Sequence, residues 1–141
     1  MMKHSSQDGF LMVEVVFTTV IISLALVAAV GLFIQATLAN GSAADYTVAA
    51  NLAQKQVALL NANYTAAQWN AMTLPNNDIP WQDTNYGESV PILLNNRLYN
   101  VTTSVIACPE DASNLVEVTV NVTWTGRGAT QSVQITTAFP K

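Results

Sequence analysis

The chain has 141 residues, 50% of them apolar and only 10% charged, with a net charge of −4. That is one domain's worth of protein with an apolar excess, since a soluble domain usually carries about 25% charged residues. Its basic residues (Lys3, Lys55, Arg97, Arg127, Lys141) are too scattered to track phosphates, which argues against nucleic acid as a partner, and a single cysteine excludes an intrachain disulfide.

Residues 1–9, MMKHSSQDG, are short and polar. Beyond them, residues 15–34 hold no charge, and 10–13 on the other side of Glu14 are apolar too. About 20 apolar residues cross a bilayer as a helix. Lys3 precedes the stretch and the next basic residue is Lys55, so the positive-inside bias predicts a cytoplasmic N-terminus with the remainder outside. Hydropathy alone describes a single-pass anchor. A secretory signal peptide fits poorly, because its apolar core is about 7–15 residues long. Here the stretch is longer, holds Glu14 and follows the acidic Asp8. Glu14 is the anomaly, since a carboxylate at bilayer depth costs about 2.5–3.5 kcal/mol on insertion scales.

Residues 36–64 are alanine-rich and keep a helical period. At about 100° per residue, Val48, Leu52 and Leu59 share an arc, with Tyr46, Ala49, Ala53, Val57 and Leu60 beside them. Thr47, Asn51, Gln54, Lys55 and Asn61 fall opposite, and Gln56 is the one misfit on the apolar side. This is an amphipathic helix with a face to bury. Asn40-Gly41-Ser42 is its weak joint: Gly costs about 1 kcal/mol against Ala, and Ser42 with Asp45 offers a fresh cap. The helix is therefore continuous, kinked or broken there.

From Thr65 to Asn96 the prolines 75, 80 and 91 and repeated Asn and Asp predict irregular chain with short ordered pieces at most. Trp69 and Trp81 are expected to pin it to the helix. The period then changes to two. Tyr99, Val101, Thr103 and Val105 share one side of a predicted strand over residues 97–107. Val116, Val118, Val120, Val122 and Trp124 share a face of a second, and Val133, Ile135, Thr137 and Phe139 a face of a third. The glycines of residues 125–130, TGRGAT, suit a hairpin between the last two. The fold class is α+β: a long N-terminal helix, half membrane-spanning and half amphipathic, covering an antiparallel sheet of about three or more strands.

Chemistry is hard to find in this chain. The one histidine, His4, sits in the polar leader, and a general base is most often His. There is no phosphate-binding glycine loop, no HExxH and no cysteine pair for zinc. Asp78, Asp83 and Glu88 lack the spacing of a calcium loop and read as solvated loop carboxylates. Cys108 reads as a packed thiol. No catalysis, cofactor or metal is expected.

A polar leader ending in Gly9, then Phe10-Leu11-Met12-Val13-Glu14 and an apolar helix, resembles a type IV prepilin. That family includes pilus subunits and the pseudopilins of type II secretion and DNA-uptake machines. The resemblance covers residues 9–34, and the family fold, a long helix on an antiparallel sheet, agrees with the periodicities. It implies a leader, residues 1–9, removed by a prepilin peptidase between Gly9 and Phe10, and N-methylation of Phe10. It further implies a membrane and filament-core helix at 10–34, an extracytoplasmic head at 35–141, and Glu14 as an assembly residue that meets a neighbour's terminal ammonium. The implied partners are other pilin or pseudopilin subunits, the peptidase, an inner-membrane assembly platform, and lipid before assembly.

The chain has Gly31 where many major pilins carry a helix-bending proline, and it lacks their C-terminal cysteine pair. Residues 116–137 resemble the ending of minor pilins and pseudopilins that prime assembly at the tip. The expectation is a minor pilus subunit held in the inner membrane and then in a filament. A type II secretion or DNA-uptake pseudopilin is the alternative within the family. A membrane-anchored extracytoplasmic binding domain that never assembles is the alternative outside it.

Overall fold

A computed structural model describes residues 7–83, 85, 90–126 and 128–141, with side chains described from Met12 onward. Residues 1–6, with His4, and also Glu88 and Arg127, lie outside the described residues. The chain divides into two units, Met1–Gly41 and Ser42–Lys141. Helix α1, Gln7–Asn63, contributes to both, and its residues stay helical through Gly31 and through Asn40-Gly41-Ser42. No break or fresh cap is seen at either glycine. A Cβ at Gly31 or Gly41 would meet nothing within 4 Å, so neither is required by close packing.

In the second unit, residues 42–63 of α1 lie on a four-stranded antiparallel meander in the order β1-β2-β3-β4. The strands are β1 Ile92–Leu94, β2 Arg97–Ala107, β3 Leu115–Gly126 and β4 Ala129–Pro140. The period-two reading of the last three holds. Tyr99, Val101, Thr103 and Val105 of β2, and Val116 to Trp124 at every second residue of β3, are buried. Both sets share one face because the register pairs Tyr99 with Trp124, Val101 with Val122 and Val105 with Val118. Gly128, at φ +84°, adopts the left-handed backbone the β3–β4 turn requires, a conformation Gly takes without steric cost.

The first strand departs from the expectation of irregular chain up to Asn96. β1 pairs with β2 through Ile92–Tyr99, Leu93–Leu98 and Leu94–Arg97, across a two-residue turn. Its central residues, Asn95 and Asn96, both have positive φ, at 49° and 61°. Asn tolerates that conformation better than most residues, and two such residues in succession make the turn that suits the twist of a hairpin. The Asn-Asn pair was the available signal, and Pro91 beside it disguised the strand.

The face of α1 that meets the sheet is Ala49, Leu52, Ala53, Gln56 and Leu60, a stripe at three- and four-residue spacing. Two details of the helix reading change. Leu59 is only half-buried, at the flank of the stripe, and the misfit Gln56 occupies its centre, fully buried. The reason is polar: the Gln56 amide serves backbone groups of the loop, as described below.

The loop is pinned as expected. Thr65 caps the short helix α2, Ala66–Ala71, with a reciprocal Thr65–Gln68 capping box. That helix delivers Trp69 into the core, where it stacks on Tyr64 at 4.7 Å and Phe139 at 5.4 Å between ring centroids. Trp81 is buried and donates its indole N–H to the Asp83 carbonyl at 2.7 Å. Cys108 is buried.

Candidate assembly site

In the first unit, α1 presents its large apolar residues outward: Phe17 is 65% exposed and Phe33 70%. Among the described residues this is one helix long and apolar enough to cross a membrane, and it lies near the N-terminus. Its hydroxyls are satisfied locally. Thr18 donates to the Glu14 carbonyl at 2.9 Å, Thr19 to the Val15 carbonyl at 2.7 Å, and Ser23 to the Thr19 carbonyl at 2.7 Å. Back-bonding of this kind lets Thr and Ser sit in hydrocarbon without an orphan O–H.

The Glu14 carboxylate has no such arrangement. It is exposed, and among the described residues no side chain hydrogen-bonds or ion-pairs with it. Of the three site residues expected from sequence, Gly9 and Phe10 belong to α1 by backbone, and the Phe10 side chain lies outside what the structure describes. Phe10 precedes Glu14 by four residues, about 6 Å along a helix. Among the described residues one acid therefore stands in the apolar stretch before residues 15–34 without a charged partner.

The head holds its own charges together. Asp45, near the start of the head half of α1, receives Arg97 Nε at 3.0 Å and the Tyr99 hydroxyl at 3.4 Å. Arg97 also donates through Nη1 to the Thr125 carbonyl at 3.0 Å, so one guanidinium links α1, β2 and β3. Burial, and then the Asp45 charge, push the Tyr99 phenol above its ordinary range.

Asp83 overturns the reading of a solvated carboxylate. It is 4% exposed, its Oδ2 pairs with Lys55, and its Oδ1 accepts from the Asn85 backbone N–H at 3.0 Å and side-chain amide at 2.8 Å. The Lys55 hydrogen bond is the main reason its carboxyl is held below the usual range, against the opposing effect of burial. Lys55, on the polar side of the helix wheel, is thus the partner of a loop acid, which helical periodicity cannot reveal. Asp78 is exposed, as expected, its backbone N–H bonded to Asn76 Oδ1 at 2.9 Å. Among the described residues no group of three or more His, Cys, Asp or Glu is placed to hold a metal ion.

Comparison with known proteins finds no match: no family model, no curated protein and no solved structure matches this chain.

Proposed function

We propose that the chain is a minor subunit of a type IV pilus, made as a precursor, cut between Gly9 and Phe10, and assembled through its N-terminal helix. The observation that carries this reading is Glu14, a single unpartnered acid beside residues 15–34, a stretch without charge whose apolar side chains point outward. A lone anchor gains nothing from that acid, which opposes insertion.

Cleavage gives the acid a purpose. It creates an α-ammonium at Phe10, and stacking of subunits into an apolar filament core would bring one chain's ammonium to another's Glu14. Removing one partner of a buried ion pair costs about 3–5 kcal/mol, so the pair selects subunits in the correct axial register. The head, with its polar outer sheet face and covered inner face, then stands outside the core as a structural module. Before assembly the subunit would sit in the inner membrane with its head outside the cytoplasm, in contact with lipid, the peptidase and the assembly platform.

The test is fractionation of Glu14 variants into precursor, mature membrane form and sheared filament. Glu14→Val is expected to insert and be cleaved normally, because the costly charge is gone, and to disappear from the filament fraction. Glu14→Asp is expected to fall between the two. Recovery of Glu14→Val in filaments at the level of the unaltered chain would remove the docking role.

A further inference from the structure

The outer edge of β4 is long, uncharged and open. The strand has twelve residues, without a charged residue, a glycine or an internal proline. The opposite edge of the sheet is a strand of three residues, and further along β2 the Asn76 backbone exchanges hydrogen bonds with Val105 at 2.9 and 2.7 Å. That edge is short and partly occupied, as sheet edges usually are, and β4 is neither.

Alternation of the ladder shows which groups β4 leaves open. Cys108 N–H donates to the Leu115 carbonyl, which orients the odd-numbered residues of β3 toward β2. Lys141 N–H donates to the Asn114 carbonyl, which continues the ladder between odd-numbered β4 residues and even-numbered β3 residues. The N–H and C=O groups of Thr130, Ser132, Gln134, Thr136 and Ala138 therefore point away from the sheet. All five residues are exposed, and among the described residues none makes a backbone hydrogen bond outside the β3–β4 pairing. On the helix-covered face of the same strand, Val133 and Ile135 are only half-covered.

These residues are laid out symmetrically about Gln134, in position and in chemistry. From this we infer that β4 pairs antiparallel with β4 of a second copy of this chain, about a twofold axis at Gln134, so that the two sheets become one. In that register Gln134 faces its own counterpart, Ser132 faces Thr136 and Thr130 faces Ala138, and every outward N–H and C=O finds a partner. Between these pairs Val133 of each copy faces Ile135 of the other, on the face the helices cover. Each apolar side chain left half-covered by its own helix is then flanked by another, and each exposed hydroxyl or amide by a polar or small residue. Neither strand carries a charge, so the pairing sets no like charges opposite each other.

The other ways of covering the edge with a copy fit less well. Parallel pairing of two β4 strands turns one sheet over, which sets Thr, Ser and Gln of one copy beside Val133 and Ile135 of the other. The copy's β1 offers three residues to a strand of twelve, and such head-to-tail contact always leaves one β4 open. Twofold β4 pairing closes on itself and removes the long edge from both copies. It involves the second unit alone and holds whether or not residues 1–9 are removed.

Cysteine substitution in the full-length chain in detergent, on a Cys108→Ala background, tests the register by oxidation. Directly paired residues of this kind have Cα atoms about 5.5 Å apart, inside the disulfide range of about 4.4–6.8 Å. Gln134→Cys is therefore expected to form a disulfide-linked dimer. Ser132→Cys and Thr136→Cys each stand four residues, about 14 Å along the strand, from their own counterparts. Either alone is expected to give at least about tenfold less dimer, and the two mixed are expected to link to each other. Adding Thr136→Pro to Gln134→Cys removes an outward N–H while keeping every β3–β4 ladder bond, at a position where edge strands accept proline. It is expected to lower dimer yield at least about tenfold, the loss of roughly 1.4 kcal/mol of association. If that variant fails to fold, Thr136→Lys, which leaves the backbone intact and blunts the edge by charge, decides. No dimer through Gln134→Cys, equal dimer at all three positions, a mixture that does not link, or a yield that the edge variant leaves unchanged would each overturn the inference.

Discussion

Gln56, in the middle of the helix face that covers the sheet, donates through Nε2 to Thr103 Oγ1 on β2 at 3.2 Å. The same amide donates to the Pro80 carbonyl at 3.0 Å and accepts the Gln82 backbone N–H at 3.0 Å. One side chain thus joins helix, sheet and loop, and a buried polar group is tolerated because both ends of the amide are used.

Replacement of Gln56 by Leu, close in size and better matched to the apolar stripe, is therefore expected to destabilise the head. It strands the Gln82 N–H, at about 1–3 kcal/mol for a buried group left unpaired, and takes one of two donors from the Pro80 carbonyl, which keeps Gln82 Nε2 at 3.0 Å. Thr103→Val leaves those two bonds in place and is expected to cost less. Denaturant unfolding of the detergent-solubilised chain measures both. A Leu variant as stable as the original would show that the loop finds water instead.

Much of the fold was legible in the chain because burial has a period. Val118, Val120 and Val122 announce a half-buried strand, and Ala49, Leu52, Ala53 and Leu60 a helix that lies on it. What was not legible depends on partners distant in sequence. Gln56 reads as a misfit and Asp83 as a solvated acid until Pro80, Gln82 and Lys55 are brought beside them. β1 was hidden because a three-residue strand has too few residues to show alternation. The candidate site was the converse. Gly9, Phe10 and Glu14 stand out by position and charge in the sequence, whereas the fold of one chain leaves Glu14 without a partner among the described residues.

Acid should loosen the loop before it unfolds the head. The Asp83 carboxyl is held below its ordinary range chiefly by Lys55. A depressed folded-state value gives stability that is present above the unfolded aspartate value of about 3.9 and lost as pH falls through the folded one. As pH falls below the ordinary aspartate range and through the folded value, then, the Lys55–Asp83 pair lets go and residues 79–83 become more accessible to protease. Asp83→Asn should show that accessibility at neutral pH and little further change on acidification. Equal protease sensitivity of the two chains at neutral pH would count against the latch.

Trp124 anchors the sheet under the start of the head helix. It is 2% exposed, with the Tyr46 ring perpendicular to it at 4.9 Å and Tyr99 at 5.9 Å. Trp124→Ala is expected to cost about 3–5 kcal/mol. Thr123→Ala, on the other face of β3, should cost far less. Thermal unfolding of the two variants compares the faces directly, and similar losses would contradict the assigned orientation of β3.

The central claim is that a precursor is cut beside Gly9 so that Glu14 can meet a new terminal ammonium. Intact mass and N-terminal analysis of the membrane-extracted protein address it most directly. The account predicts a chain of residues 10–141 beginning with N-methyl-Phe10, and accumulation of uncut precursor when Gly9 is replaced by Val. A chain that still begins at Met1, or one that begins near Asn40 as after removal of a signal peptide, would contradict it.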